Sequence, residues 1–178
     1  MKIMSDHSSF QRGASMIEVL VALTIVAFGL LGLAGLQARS VSFNKDSYDR
    51  KAAAEMAAQL AERIRANYDG FNIGSYNLTM LPTEQAPFPV PACADPQRCT
   101  AKEVADRDWA MWRADLRRRL PGAGAYLVAP ALAPQLTLTL AWEEAQPNPT
   151  PDPVCAAAPV NMVDPTNKWR CFTWILHP

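Results

Sequence analysis

A charge-free apolar run close to the start of the sequence constrains this chain more than any other feature. Val19 to Leu36 is 18 residues without a charged side chain. As a helix it spans about 27 Å, which is close to the hydrocarbon thickness of a bilayer. Glu18 stands at the start of this run. A carboxylate inside a membrane segment costs roughly 2.5 to 3.5 kcal/mol on insertion scales, so an acid there is usually paired and functional.

Four interpretations of the run compete: a secretory signal, a plain membrane anchor, a buried core helix, and a segment that uses Glu18. A signal peptide needs an apolar core of about 7 to 15 residues before a cleavage site of the small-x-small type. Gly32-Leu33-Ala34 fits such a site. The apolar core is too long for a signal peptide, however, and the helical pattern continues past that site. We therefore favour the interpretation that uses Glu18.

The helical pattern extends well beyond the apolar run. No Pro or Gly occurs from Arg39 to Asn67, and apolar residues recur there along one helical face. The predicted stripe contains Tyr48, Ala52, Ala53, Met56, Ala57, Leu60, Ala61 and Ile64. One helix of roughly 80 Å is therefore predicted from Ser15 to about Asn67, with its second half packed on a domain. Gly70 suits a left-handed cap after it.

Composition changes after Leu81. All 15 prolines, all five tryptophans and all four cysteines lie from Pro82 onward, in the last 97 residues. This predicts one compact, loop-rich domain that follows the long helix. The cysteines are Cys93, Cys99, Cys155 and Cys171.

The even number of cysteines, all on the predicted exported side, argues for disulfides in an oxidising compartment. Four cysteines allow three pairings, of which we favour the sequential one, Cys93 with Cys99 and Cys155 with Cys171. A structural zinc site is the alternative. The chain has no Cys-x-x-Cys spacing and its only histidines are His7 and His177, so we expect no metal.

The domain shows one helical segment and several strands. Thr100-Ala-Lys-Glu103 is a capping box, and Pro121-Gly122 ends the helix that it starts. The apolar face of this helix contains Ala105, Trp109, Trp112, Leu116 and Leu120. Alternating patterns predict strands at Leu136 to Trp142 and Phe172 to Leu176, and Tyr126 to Ala129 is a candidate for a third strand. A long loop is predicted from Glu143 to Lys168. The expected fold class is α+β, with a small antiparallel sheet packed on the long helix.

Three adjacent arginines, Arg117, Arg118 and Arg119, crowd the last turn of the predicted helix, where cations complement the helix dipole. As a nucleic-acid patch they are weak evidence, because the net charge is zero and no aromatic residues are interleaved with them. We expect no nucleic-acid partner. The sequence also lacks a phosphate-binding glycine loop and a Gly-x-Ser-x-Gly motif, which argues against an enzyme, and it indicates no cofactor.

The amino terminus resembles that of type IV prepilins. A basic leader, then Gly13, then an apolar stretch with Glu18 five positions on, reproduces their motif. The resemblance implies that a prepilin peptidase cuts between Gly13 and Ala14 and methylates the new amine of Ala14. The family usually has Phe where Ala14 stands. Such an amine has a pKa of about 7.7 to 8.0 and lies one helical turn from Glu18, which gives the carboxylate a counter-ion in its own chain or in a neighbour.

Later segments are similar to minor pilins of the PilV kind. The resemblance rests on the helix from Trp109 to Leu120, the Leu-Pro-Gly-Ala-Gly sequence that follows, and the Leu-Thr-Leu-Ala-Trp-Glu strand. It implies a pilin-like α+β fold with a leader at 1–13, a helix at 14–67 that spans the membrane at about 16–36, and a periplasmic or extracellular domain at 68–178. Type IV pilins also often close a carboxy-terminal loop by a disulfide, and Cys155 with Cys171 is similar to that bracket.

The function implied by this resemblance is that of a minor pilin. Such a protein is held in the inner membrane, joins other minor and major pilins to prime pilus assembly, and lies at the pilus tip, with a tip adhesin as a further partner. Cell adhesion and twitching motility are the associated processes. Two alternatives remain open at this stage: a pseudopilin of a type II secretion system, and a non-polymerising single-pass membrane protein whose periplasmic domain binds a partner.

Overall fold

The computed structural model of the chain describes most of the sequence outside the first 14 residues. The described residues are 15–82, 84, 87–95, 98–120, 122–131, 133–144, 150, 152–157 and 168–177. The chain divides into two compact units, Met1–Phe43 and Asn44–Pro178. The second unit contains the sheet and the hydrophobic core.

The predicted long helix is present. Helix α1 spans Met16–Ala66, a single element of 51 residues. In the second unit its buried face consists of Asp49, Ala52, Ala53, Met56, Ala57, Leu60, Ala61 and Ile64. The prediction was wrong at Tyr48, which is 62% exposed, because the covered face begins one position later. Asp49 takes its place at the edge of the core.

The end of α1 differs from the prediction at Gly70. A short helix, α2 (Tyr68–Asn72), follows directly, with Asn67 as its N-cap, and Gly70 lies buried inside it. Gly74 rather than Gly70 has the left-handed backbone, with φ of 71°. Gly70 is needed for a different reason: a Cβ there would lie 2.9 Å from the carbonyl oxygen of Ala101. A side chain at this position would therefore separate α2 from the start of the next helix.

The sheet is antiparallel, as predicted, and it has four strands. Its strands are β1 (Leu78–Met80), β2 (Gly124–Val128), β3 (Leu136–Glu143) and β4 (Trp169–Leu176), in the spatial order β1-β2-β3-β4. The register pairs Leu138 with Leu127 on one side and with Trp174 on the other. Leu136, Leu138 and Leu140 are fully buried against the core.

Helix α3 (Ala101–Arg119) begins at the predicted capping box. The backbone N–H of Glu103 donates to the Thr100 hydroxyl, and the Glu103 carboxylate accepts from the backbone N–H of Thr100. All five residues of its predicted apolar face are buried. Trp112 is fully buried, and its Nε1 donates to the carbonyl oxygen of Met56 at 2.9 Å, which ties α3 to α1.

A second, smaller cluster covers the opposite face of the sheet. Helix α4 (Pro153–Ala157) carries Cys155, which packs with Ala141 and Cys171. The simple alternation predicted for β3 therefore fails at Thr139 and Ala141, which are both buried although they lie on the face that was expected to be open. The disulfide covers Ala141, and the hydroxyl of Thr139 hydrogen-bonds with that of Thr173 at 3.1 Å.

Candidate assembly surface

The part of α1 in the first unit is an exposed apolar surface. Its most hydrophobic 18-residue window has a mean hydropathy of 2.6, and none of that window is buried. The exposed large side chains include Ile17, Leu20, Leu23, Phe28, Leu31 and Leu36. A continuous apolar surface of this size is unusual on a protein in water and marks a membrane or protein contact. By length and composition, the helix is suited to cross a membrane.

Glu18 lies in the first turn of this helix. Its backbone N–H donates to the carbonyl oxygen of Ser15 at 3.0 Å, and that of Val19 donates to the same oxygen at 3.2 Å. A carboxylate in the first turn is favoured by the partial positive charge of the helix start. Gly13 and Ala14, the predicted cleavage and methylation positions, lie outside the described residues, as does the rest of the leader.

Thr24 and the three glycines of the apolar segment take no part in packing against the rest of the described chain. The hydroxyl of Thr24 donates to the carbonyl oxygen of Leu20 at 2.8 Å, so this side chain satisfies itself within the helix. A Cβ at Gly29, Gly32 or Gly35 would meet no atom within 4 Å. Contacts within the described part of the chain therefore do not require these glycines, and their small size allows another helix to approach closely.

The four cysteines form two disulfides. Cys93 is joined to Cys99 and Cys155 to Cys171, which is the sequential arrangement, and no described cysteine is free. Within the described part of the chain, no group of three or more His, Cys, Asp or Glu side chains is arranged to hold a metal ion.

The three adjacent arginines at the end of α3 have separate contacts. Arg117 donates to the carbonyl oxygens of Leu81, Pro82 and Glu84, and burial lowers the pKa of its guanidinium. Arg118 pairs with Asp115, and Arg119 donates to Glu55 at 2.7 Å. Arg117 thus holds the loop after β1 in place.

Two features of the second unit were not predicted from the sequence. Asp49 is only 8% exposed, and burial raises the pKa of its carboxyl group. Arg50 extends over the ring of Phe172, with its guanidinium carbon 5.6 Å from the ring centroid. The chain position of Arg50, on the helix but off its apolar stripe, was the available hint.

Comparisons with known families match the amino-terminal part of the chain. A family model described as type IV pilin Tt1218, or Tt1218-like, matches residues 35–110. A model of the prokaryotic N-terminal methylation motif matches residues 8–34. Together they cover more than half of the 178 residues. No curated protein and no solved structure matches the chain significantly.

Proposed function

Since this chain is a type IV pilin with a prokaryotic N-terminal methylation motif, we propose that it acts as a minor pilin that helps to prime pilus assembly. The observation that carries the proposal is the first segment of α1, an apolar helix with Glu18 at its start and none of its most hydrophobic window buried. Such a helix needs a membrane before assembly and the helices of other pilins after it.

Processing at the amino terminus completes this surface. Prepilin peptidase cuts between Gly13 and Ala14, and Ala14 is then methylated. The cut creates an amine one turn before Glu18. In its protonated form, this amine is a counter-ion for the Glu18 carboxylate. Pairing with the amine of a neighbouring chain would fix the axial register between helices, because a buried charge is costly unless it is paired.

Before assembly the protein is a single-pass protein of the inner membrane. Residues 1–13 form the leader, residues 14–67 the helix, with about 16–36 in the bilayer, and residues 68–178 the periplasmic domain. The two disulfides favour this orientation, because disulfides persist in oxidising compartments. After assembly the domain lies outside the cell, at the pilus tip with other minor pilins and an adhesin.

The mass of the protein, made with and without prepilin peptidase, tests the processing step. Loss of residues 1–13 and a gain of one methyl group are expected only when the peptidase is present. Gly13→Val should block the cut, whereas Ala34→Val, at the alternative small-x-small site, should leave it unchanged. An intact amino terminus, or a chain that starts at Gly35, would refute the proposal.

The number of copies in isolated filaments tests the minor-pilin role. We expect a few copies for each filament and a loss of filament initiation when the gene is deleted. Copy numbers equal to those of the main subunit would make the chain a major pilin. A loss of protein secretion with normal pili would favour the pseudopilin alternative.

A further inference from the structure

Strand β4 forms one edge of the sheet, and nothing in the described chain pairs with its outer side. We propose that this edge binds an extended segment of a partner protein, which adds as a fifth strand and brings a carboxylate side chain to Arg50. The proposal goes beyond the assembly role of α1 and does not depend on cleavage at Gly13, because all its residues lie in the second unit.

The register shows which backbone groups of β4 point outward. The backbone N–H of Glu144 donates to the carbonyl oxygen of Lys168 at 2.7 Å, and these residues lie directly opposite each other. In antiparallel pairs, hydrogen-bonded and non-hydrogen-bonded positions alternate. The hydrogen-bonded residues of β4 are therefore the even-numbered ones, and Cys171, Thr173 and Ile175 direct their N–H and C=O groups away from β3.

Among the described residues, only the Cys171 end of this edge has a hydrogen-bond partner. The outward N–H of Cys171 donates to the Asp152 carboxylate at 3.4 Å, beside the disulfide. Thr173 and Ile175 are exposed, Ile175 to 59%. Natural edge strands are usually protected by lysine, proline, a bulge or short length. The three-residue β1 at the other edge is short, whereas β4 has eight residues and neither lysine nor proline.

A groove of about 510 Å³ runs beside the open edge. Arg50 lines it from α1, Pro153 and Val154 line it from α4, and Phe172 and Thr173 line it from β4. Phe172 stacks on Trp142 at 5.5 Å between ring centroids, yet remains 38% exposed. The groove therefore offers the partly exposed ring of Phe172 beside the peptide group of Thr173, which has no hydrogen-bond partner among the described residues. This combination suits a strand with alternating apolar residues.

Arg50 determines the charge of the partner segment. Its side chain is 52% exposed, and the single carboxylate within 4.0 Å among the described residues is that of Glu144, at 3.9 Å. Glu144 is itself engaged with Arg170 at 3.0 Å. The guanidinium of Arg50 thus keeps donors for a carboxylate on an added strand, which would lie beside Phe172.

A second copy of this chain fits the edge less well. In an antiparallel pair centred on Trp174, Phe172 of one copy would face Leu176 of the other. Arg50 would then approach the other copy's Arg65, which donates to the carbonyl oxygen of His177 at 2.8 Å and pairs with Glu62. This arrangement brings like charges together, and among the described residues it places no unpaired carboxylate beside Arg50, so we assign the edge to a different, acidic partner.

Peptide binding to the full chain in detergent micelles tests the proposal. The probe is a seven-residue peptide of alternating threonine and valine with one terminal glutamate, and its match carries glutamine instead. The acidic peptide should slow amide hydrogen exchange at Thr173 and Ile175, and it should bind about threefold to fivefold tighter than the neutral one, as a half-exposed ion pair allows. Arg50→Gln should remove this difference, whereas Arg118→Gln, at another exposed arginine, should keep it.

A second variant tests the strand addition itself. Ile175→Pro removes an N–H that faces the open edge and takes away an exposed side chain with no hydrogen-bonding group, so the fold should remain intact and its unfolding midpoint should change little. Binding of both peptides should nevertheless be lost. Unchanged binding by this variant, protection elsewhere in the chain, or protection by self-association without any peptide would each overturn the proposal.

Discussion

At the scale of single residues, a polar network joins helices α1 and α3 to the N-cap of α2 and to the turn before β1. The fully buried Tyr76 donates through its hydroxyl to Asp108 at 2.8 Å and accepts from Asn67 at 3.0 Å. Arg63 donates to the other oxygen of Asp108 at 2.9 Å. Burial is the main cause that raises the pKa of Tyr76, and the hydrogen bond to Asp108 adds to it. Tyr76 therefore stays protonated and acts as a donor.

The substitution Tyr76→Phe tests the value of this network. It should lower the free energy of unfolding by roughly 1 to 3 kcal/mol, because the carboxylate of Asp108 and the amide of Asn67 each lose a buried partner. Tyr68→Phe is the matched control, since Tyr68 is 53% exposed and its change should stay within about 0.5 kcal/mol. Chemical denaturation of both variants measures the difference. Equal effects at the two tyrosines would contradict the expectation.

Asp49 should make stability depend on pH. Burial raises the pKa of its carboxyl group above the unfolded value, with Lys45 opposing the shift and Asp46 adding to it. The folded state therefore binds the proton more tightly, and stability is lost as the pH rises through the folded pKa. Asp49→Asn should have a higher unfolding temperature than the parent chain at pH 7. The gain should vanish below about pH 3.9, the unfolded pKa of aspartate. A gain that is equal at both pH values would refute this cause.

The same residue shows where sequence reasoning reaches its limit. The period of the stripe predicted the positions from Ala52 to Ile64 correctly, because small and apolar residues recur there at helical spacing. The predicted stripe included Tyr48 and left out Asp49, since hydrophobicity was the single criterion at its amino-terminal end. The covered face there depends on the direction in which the sheet packs, and a helical period alone does not contain that information.

At the scale of elements, local hydrogen bonding made α3 predictable. Its capping box involves residues three positions apart, so both hydrogen-bond partners can be identified from the local sequence. The disulfide-closed loops and the strands β3 and β4 also have strong local patterns. Strand β1, by contrast, has three residues and pairs with β2, more than forty residues later in the sequence. Helix α4 has five residues and lies within a proline-rich part of the sequence. Both elements depend on distant contacts, which explains why no local pattern predicted them.

The two disulfides should contribute unequally to stability. Cys155 and Cys171 are 16 positions apart and buried, whereas Cys93 and Cys99 are six apart and more accessible. In the chain-entropy model, the longer loop is worth about 3 kcal/mol and the shorter one about 2 kcal/mol. Replacing Cys155 and Cys171 with alanines should therefore lower the stability more than replacing Cys93 and Cys99, as measured by the unfolding midpoint. A larger loss for the Cys93 and Cys99 pair would contradict this order.

Alkylation of the native chain tests the disulfides directly. Without reductant, no cysteine should react, because every described cysteine is bonded. After reduction and unfolding, all four should be labelled, and mass mapping of the partly reduced chain should join Cys93 to Cys99. Labelling of two or more cysteines before reduction would be incompatible with the structure.

At the scale of the whole molecule, the two parts of α1 differ in how far their apolar side chains are buried. The residues from Asn44 onward bury their apolar face in the core of their own unit, with Met56, Leu60 and Ile64 fully covered. In the described part of the first unit, the large apolar side chains from Met16 to Phe43 are exposed. The hydrophobic effect therefore requires an external environment for the first part, either lipid or other apolar helices. In this respect the chain is a subunit whose apolar surface another molecule must complete.

Glu18 should be essential for incorporation of the chain into filaments but not for cleavage of the leader. We predict that Glu18→Ala is still cut after Gly13, because the cut requires access to the leader, whereas incorporation into filaments falls about tenfold or more. Without its carboxylate, the amine of Ala14 would be left unpaired among apolar helices, at a cost above the 1.4 kcal/mol that corresponds to a factor of about ten. The mass of the membrane-bound chain measures the cut, and its amount in sheared filaments measures incorporation. Glu62→Ala is the control on the same helix, since that side chain is 73% exposed. Equal incorporation of the two variants would remove the proposed role of Glu18, because a general loss of helix charge would then explain the result.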